Sequence, residues 1–214
     1  KIKEYPPDWD PHDPWDELMS GFLMMEFPSS RLRIYAEFGT NDHRQNFSDL
    51  RTHPDHSSAY ILGLRKYGIF NNKFLLGGFE YTNIVLGKFW KYRATPNWYD
   101  KEYYDYSSYD GRRWAAHSGS DSDDFYFYLG YQNQKLTFIP SFNYERHGVL
   151  FSRFPEVKME IRFDIHYVWH DYKFNIYIER EYIEHVGFIP NEWIIGNVIW
   201  IGVERNLTSI LFKN

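Results

Sequence analysis

One segment of the chain alternates strictly between apolar and polar residues, from Glu160 to His170. The apolar members fall on one side and the polar members on the other: Ile161, Phe163, Ile165, Tyr167 and Trp169 against Glu160, Arg162, Asp164, His166 and His170. A period of two is typical of a β-strand with one apolar and one polar face. Because a tilted strand needs about 9–11 residues to cross a bilayer, the segment has the length and the two faces of a transmembrane β-barrel strand.

The same alternation, interrupted by turn signals, predicts nine strands. They cover residues 18–27, 31–40, 58–69, 73–86, 124–132, 135–146, 156–169, 172–185 and 193–205. Tight turns at 28–30, 71–72, 132–134 and 170–171 alternate with longer connections at 41–57, 87–123, 147–155 and 187–191. Outer-membrane barrels have this asymmetry, with tight periplasmic turns and long external loops. The predicted fold is therefore all-β: an antiparallel up-and-down meander of about nine strands, part of a transmembrane outer-membrane β-barrel.

The prediction treats residues 1–214 as one partial barrel domain with two prominent loops. Residues 1–17 hold four prolines and no periodicity, so we expect an extended external loop. Residues 87–123 form the second long external loop. Nine antiparallel strands do not close into the even-numbered barrel of a bacterial single chain. Since the chain also opens at Lys1 without a signal-like apolar region, we expect a mature form or a fragment of a larger barrel.

Composition narrows the functional classes. Aromatic residues make up 21% of the chain, which suits the aromatic girdles of a membrane barrel or, alternatively, an aromatic-rich soluble sandwich. A net charge of -5 argues against a nucleic-acid partner. Cysteine is absent, which excludes a disulfide framework, a thiolate nucleophile and a zinc-thiolate site. No cofactor is predicted. No apolar run of about 18 residues predicts a transmembrane helix.

Three segments occur in a recognisable order along the chain. Residues 78–83 read GFEYTN, residues 99–131 form a Tyr-rich loop followed by a strand, and residues 144–148 read YERHG. Glycine, histidine and acidic positions recur in the middle segment: Tyr109, Gly111, His117, Gly119, Asp121, Asp123 and Asp124. With Glu37 at the end of an earlier strand, this arrangement resembles the Wzi-type capsule assembly proteins, over roughly residues 16–205.

The resemblance implies the C-terminal half of a larger outer-membrane barrel whose N-terminal part includes periplasmic helices. It also implies a non-enzymatic function, the assembly or attachment of capsular or other surface polysaccharide at the bacterial outer membrane. The expected partners are then that polysaccharide and outer-membrane lipid. The chain departs from the family in its last residues, Leu211 to Asn214, which lack the terminal aromatic residue of the usual insertion signal.

The Tyr-rich loop supplies the predicted polysaccharide-binding residues. Six aromatic residues offer flat faces with polar edges for stacking on sugar rings: Trp98, Tyr99, Tyr103, Tyr104, Tyr106 and Tyr109. Arg112 and Arg113 suit the carboxylates or phosphates of an acidic polysaccharide. The resemblance adds His117 and Asp121 to this set. The alternative is that the aromatic residues pack the loop on itself and form the outer girdle.

Other chemistries stay open. The acidic run 119–124 has carboxylates at alternate positions, as calcium loops do, but lacks the EF-hand pattern. An exposed loop that initiates a strand explains it better, so no metal is predicted. Four carboxylates on the polar faces could serve a glycosidase or simply pair with Arg162 or Lys173: Glu160, Asp164, Glu179 and Glu181. A porin-like solute channel is the main functional alternative, and an envelope glycosidase is the third.

Overall fold

The computed structural model describes residues 18–41, 51–52, 58–85, 87, 108–109, 112–113, 119 and 121–205. Within these ranges the chain forms eleven strands: β1 (Leu18–Phe27), β2 (Leu32–Asn41), β3 (Ser58–Ile69), β4 (Asn72–Asn83), β5 (Ser108–Tyr109), β6 (Arg112–Arg113), β7 (Ser122–Gln132), β8 (Leu136–His147), β9 (Glu156–Trp169), β10 (Tyr172–Glu184) and β11 (Trp193–Arg205). Short 3-10 turns lie at Pro28–Ser30 and Val186–Phe188. The predicted loop 1–17 lies outside the described residues. None of the helical segments described is long and apolar enough to cross a membrane.

Nine strands form one antiparallel sheet in the order β1-β2-β3-β4-β7-β8-β9-β10-β11. Each strand pairs with its neighbour along the chain, except that the separate β5-β6 hairpin intervenes between β4 and β7. The predicted all-β up-and-down meander is therefore confirmed. The sheet is open, with β1 and β11 as its edges among the described strands, so a closed barrel is not seen.

One face of this sheet is predominantly apolar, interrupted by the pair Arg180 and Asn197 and by the pair Asp123 and Arg146 near the strand ends. Paired residues in an antiparallel sheet share a face, and apolar residues oppose apolar residues in pair after pair, such as Phe163 opposite Ile178. Residues from all parts of the sheet show how far this face is exposed: Met19 70%, Leu23 59%, Leu62 46%, Phe127 47%, Ile161 52% and Ile199 70%. Because the extensive contacts between described elements are those of neighbouring strands, no second layer covers this face in the described part of the chain.

The opposite face carries most of the polar side chains and is better covered in the middle of the sheet, whereas the edge strands β1 and β11 also expose apolar residues there, such as Phe22 and Trp200. Ser141, Glu145 and Asn175 lie on this face and are only 2–6% exposed. Among the described residues, Leu76 and Ile84 are the buried apolar side chains. An exposed apolar surface this extensive is the feature of the sheet that calls for explanation, because single exposed apolar residues are common but large exposed patches are informative.

Four of the nine predicted strands (β1, β3, β9 and β11) match the structure at both ends, and the other five differ by one to three residues at one or both ends. The loop between β3 and β4 is Phe70-Asn71 and not 71–72; both residues have positive φ, 51° and 60°, as in the type I′ turns of tight hairpins. The predicted loop 87–123 contains the β5-β6 hairpin, and β7 already begins at Ser122. Short hairpins of this kind have no long alternating pattern, so periodicity alone does not find them.

Candidate functional site

Most of the predicted polysaccharide-binding residues lie outside the described part of the chain: Trp98, Tyr99, Tyr103, Tyr104, Tyr106 and His117. The backbone of the β5-β6 hairpin brings three of the others together. Tyr109 is the register partner of Arg112, and Ser108 is the partner of Arg113. The hairpin therefore places a predicted stacking residue and a predicted anion-binding residue at the same register position.

Asp121, the last residue of the predicted set, is buried in the structure, with 3% of its surface exposed. Its Oδ2 accepts the backbone N–H groups of Leu150 and Phe151 at 2.9 and 3.0 Å. Its own N–H donates to the Ile84 carbonyl, and its carbonyl accepts from Val149, both at 3.1 Å. Its φ of 54° lies in the left-handed region, which aspartate tolerates better than most residues. Asp121 thus anchors the loop after β8 to the end of β4, and offers a polysaccharide little surface.

The rest of the acidic run also makes structural contacts. Asp123 accepts two hydrogen bonds from the Arg146 guanidinium, the one from Nε at 2.8 Å. Asp124 accepts from Asn143 Nδ2 at 2.9 Å. The prediction that run 119–124 initiates a strand is confirmed by the start of β7. For the described acidic residues of the run the expectation of exposure is wrong, because partners from neighbouring strands and loops leave Asp121, Asp123 and Asp124 only 3%, 8% and 6% exposed.

A network of four side chains crosses the polar face from β2 to β7. Tyr35 on β2 donates its hydroxyl to the Glu80 carboxylate on β4, two strands away. The Arg65 guanidinium on β3 lies over the Tyr35 ring, with Cζ 5.8 Å from the centroid. The tyrosine can reach this far because Gly63 lies between Tyr35 and Glu80 in the register. A Cβ on Gly63 would overlap the tyrosine ring.

Tyr128 repeats this arrangement from the other side. It lies on β7, in register with Gly78 on β4, and a Cβ on Gly78 would overlap its ring. On its other side, Gly78 is in register with Arg65 on β3. Tyr128 interacts electrostatically with this arginine. Glycine within a strand commonly marks a close approach of this kind. The two glycines therefore let two tyrosines converge on one arginine.

A second cluster is acidic and spans β9 and β10. Glu160, Glu179 and Glu181 each have a carboxylate oxygen within 4.8 Å of the others. The Lys158 ammonium lies 3.1 Å from Glu160 and 3.7 Å from Glu181. Carboxylates this close repel one another, and the ammonium offsets part of that repulsion. Such a cluster can attract cations from solution, although the lysine already satisfies two of its three members.

The predicted pairing of polar-face acids with Arg162 or Lys173 is confirmed for one pair, in which Arg162 Nε donates to Asp164 Oδ2 at 2.9 Å. Lys173 Nζ instead lies 3.5 Å from Oε1 of Glu204 on β11, which is not one of the four predicted carboxylates. The sequence identified these residues as polar-face residues, but it could not find their groupings, because alternation does not say which residues of neighbouring strands lie opposite each other.

Comparison with known proteins adds no identification to this geometry. No protein-family model matches the chain, and the searches of curated proteins and of solved structures found no significant match. The resemblance to the Wzi-type capsule assembly proteins therefore stays a prediction.

Proposed function

We propose that the chain is the membrane-embedded part of a bacterial outer-membrane protein that assembles or attaches capsular or other surface polysaccharide without enzymatic activity. The observation that carries the membrane part of this proposal is the exposed apolar face that runs across nine strands. Exposed apolar patches larger than a few hundred Å² are rare on soluble monomers and mark interaction surfaces. Hydrocarbon chains of lipid are the partner that covers such a face without needing any specific shape.

The lengths of the strands support the same placement. The strands of the main sheet run from 10 residues in β1 to 14 in β9. Tilted transmembrane strands need about 9–11 residues. Every strand of the sheet therefore has the length that a crossing needs, and the longer strands such as β9 would extend slightly beyond the bilayer.

Tyrosine and tryptophan residues on the apolar face lie near both ends of the strands, as in the girdles of membrane barrels, whereas phenylalanines such as Phe127 and Phe163 also lie in mid-strand. Near the long connections the girdle residues are Tyr60, Tyr81, Tyr144, Tyr182 and Trp193, and near the tight turns they are Tyr131, Tyr167, Trp169 and Tyr172. Trp193 stacks on Tyr182 with ring centroids 6.4 Å apart. Two bands of this kind fit a sheet whose two ends lie at the two membrane interfaces.

The polysaccharide part of the proposal rests on the predicted loop residues and on the resemblance. A combined variant tests it: Trp98→Ala, Tyr104→Ala, Arg112→Ala and Arg113→Ala. Each lost stacking or charge-assisted contact should weaken the binding free energy by on the order of 1 kcal/mol. Cells that carry this variant should therefore retain clearly less surface polysaccharide. The protein should still reach the outer membrane, since loops tolerate substitution better than strands.

A control variant changes the opposite end of the sheet, with Gln134→Ala and Lys135→Ala in the exposed turn between β7 and β8. This control should retain as much polysaccharide as the parent. Unchanged retention in the loop variant would return its four residues to a role in packing and in the outer girdle.

A porin-like channel is the second candidate, and the charged polar face is the observation that favours it. Cations and carboxylates alternate there, from Arg65 and Glu80 on one side to Lys158 and Glu160 on the other. Reconstitution of the purified protein in planar bilayers separates the candidates. Steady ion conductance favours the channel, retention of polysaccharide without conductance favours attachment, and release of sugar from the polysaccharide favours the glycosidase.

A further inference from the structure

A cavity opens on the polar face next to β11, away from the Tyr-rich loop. Its volume is about 340 Å³, within the usual range of small-ligand sites. Seven residues of β9, β10 and β11 line it: Asp164, His166, Asn175, Ile176, Tyr177, Val198 and Trp200. The strand register brings Trp200 opposite Tyr177, so two aromatic residues meet acid, imidazole and amide groups in one hollow.

Trp200 forms an exposed aromatic platform at this cavity. Its indole lies against Gly202 of the same strand, where a Cβ would come within 2.9 Å of the ring atom Cζ2. The absence of a side chain at Gly202 lets the ring lie close to the β11 backbone. The residue remains 55% exposed, and the apolar side chains of Ile194 and Val198 on the same face of β11 are exposed as well.

The polar groups beside this platform accept hydrogen bonds. His166 Nδ1 lies 2.6 Å from Asn175 Oδ1, and Asn175 Nδ2 donates to Glu204 Oε1 at 2.6 Å. Because an amide oxygen only accepts, Nδ1 carries the proton in this contact, and an imidazole protonated at Nδ1 alone leaves Nε2 as an acceptor. The Arg162 N–H occupies one oxygen of Asp164, so this carboxylate retains further acceptor capacity.

We propose that this cavity is a saccharide subsite for a neutral hexose unit, which stacks on Trp200 and donates hydroxyl hydrogen bonds to Asp164 and His166. A pyranose has an apolar C–H face that fits an indole and a rim of hydroxyl donors that fits these acceptors. The proposal takes its ligand class from the proposed function and adds a site separate from the loop. Uronic acids fit poorly, because Asp164 and Glu204 repel a ligand carboxylate.

An organic cation is the main competing ligand, since an indole with carboxylates nearby also attracts quaternary ammonium groups. The hydrogen-bonding groups favour the sugar. A quaternary ammonium has no N–H or O–H group to donate to Asp164 or His166, whereas a hexose has several hydroxyl donors.

The test is saturation-transfer NMR on the purified protein in detergent micelles, with glucose, galactose, mannose, glucuronate and choline as separate probes. At least one neutral hexose should receive saturation from the parent protein, more strongly than glucuronate or choline does. Trp200→Ala should lower that response about fivefold, a typical cost of one lost aromatic contact. Asp164→Asn should weaken the hexose response and strengthen the glucuronate response, because it removes the repelling charge.

Trp169→Ala is the matched control. Trp169 lies on the apolar face of β9 and is 54% exposed, almost as much as Trp200, so its removal should leave the hexose response unchanged. Equal loss in both tryptophan variants, a stronger response to choline, or no response to any of the three hexoses would each overturn the proposal. Polysaccharide retention by the loop variant is measured on cells and is independent. The proposed function can therefore fail while the subsite stands, and the reverse.

Discussion

At the scale of single residues, Gly63 has the sharpest consequence for stability. Its hydrogen side chain leaves the space over which Tyr35 crosses β3 to reach Glu80. Gly63→Ala should lower the free energy of unfolding by about 1–3 kcal/mol, because the new methyl group overlaps a ring held on both sides. Urea titration of the protein in detergent micelles measures this change.

Gly21 provides the control for that substitution. It lies on the opposite face in β1, and a Cβ built there meets nothing within 4 Å. Gly21→Ala should therefore leave stability almost unchanged. Adding Tyr35→Ala to Gly63→Ala should recover part of the loss, since it removes the overlapping ring. Equal effects of the two glycine substitutions would contradict the proposed role of the tyrosine ring.

Asp121 is a second residue whose role depends on its hydrogen bonds. Asp121→Ala leaves the N–H groups of Leu150 and Phe151 without their carboxylate acceptor. We expect the free energy of unfolding to fall by about 1–3 kcal/mol. Hydrogen exchange at these two amides should become faster. Asp121→Asn keeps one side-chain oxygen and tolerates the left-handed backbone, so its effect should be smaller. Unchanged exchange at both amides in the alanine variant would refute the anchoring role.

The burial of Asp121 was not predictable from sequence. An acidic run before a strand reads as an exposed loop, because acidic residues are mostly exposed. The loop after β8 encloses Asp121. This loop is distant from Asp121 in sequence, and the pairing of β7 with β8 brings the two together. Two nearby glycines, Gly119 and Gly148, have positive φ and indicate turns of the backbone. They do not identify the loop that contacts Asp121.

At the scale of the strands, the hairpin between β3 and β4 contains a strained residue. Phe70 has φ 51° and is 88% exposed, so a bulky side chain occupies a left-handed position without packing. Phe70→Asn should raise the free energy of unfolding by up to about 1 kcal/mol, because asparagine adopts this conformation more readily. Phe70→Leu keeps the strain and should bring no gain. The same urea titration compares the two, and a gain in both variants would assign the effect to the removal of an exposed ring.

The strands themselves were largely predictable. Strict alternation, as in residues 160–170, predicts both a strand and which of its faces is apolar. The structure has the strand, with the same face apolar. Register was not predictable in this way, because it depends on how neighbouring strands slide against each other. The convergence of Tyr35 and Tyr128 on Arg65, and the grouping of Glu160 with Glu179, are consequences of register. They therefore became visible only with the structure.

At the scale of the whole molecule, the two faces of β11 make the membrane proposal testable with a matched pair. Ile199 is at the centre of the strand on the apolar face, and Val198 beside it points to the polar face. Ile199→Arg should lower the stability of the membrane-inserted protein by about 2–4 kcal/mol, the value for an arginine at the bilayer midplane. Less protein should then be recovered in the outer-membrane fraction. Val198→Arg should be recovered like the parent.

The outcome of this pair distinguishes a lipid-facing sheet from a soluble one. Equal recovery of the two arginine variants in the outer-membrane fraction would refute the assignment of the apolar face to lipid. So would recovery of the parent protein from the soluble periplasm without detergent. Either result would favour the aromatic-rich soluble protein that the composition also allows.

The meander also has a consequence for the order of assembly. Hairpins closed by two or three residues, such as β9-β10, pay little loop-closure entropy and can form within microseconds. The pairing of β4 with β7 instead joins strands that are separated by residues 84–121. We therefore expect two blocks, β1–β4 and β7–β11, to form before they join. Pulse-labelled hydrogen exchange should show protection of β9 and β10 before the β4-β7 pair becomes protected, so that the seam between the blocks is the last part of the sheet to close.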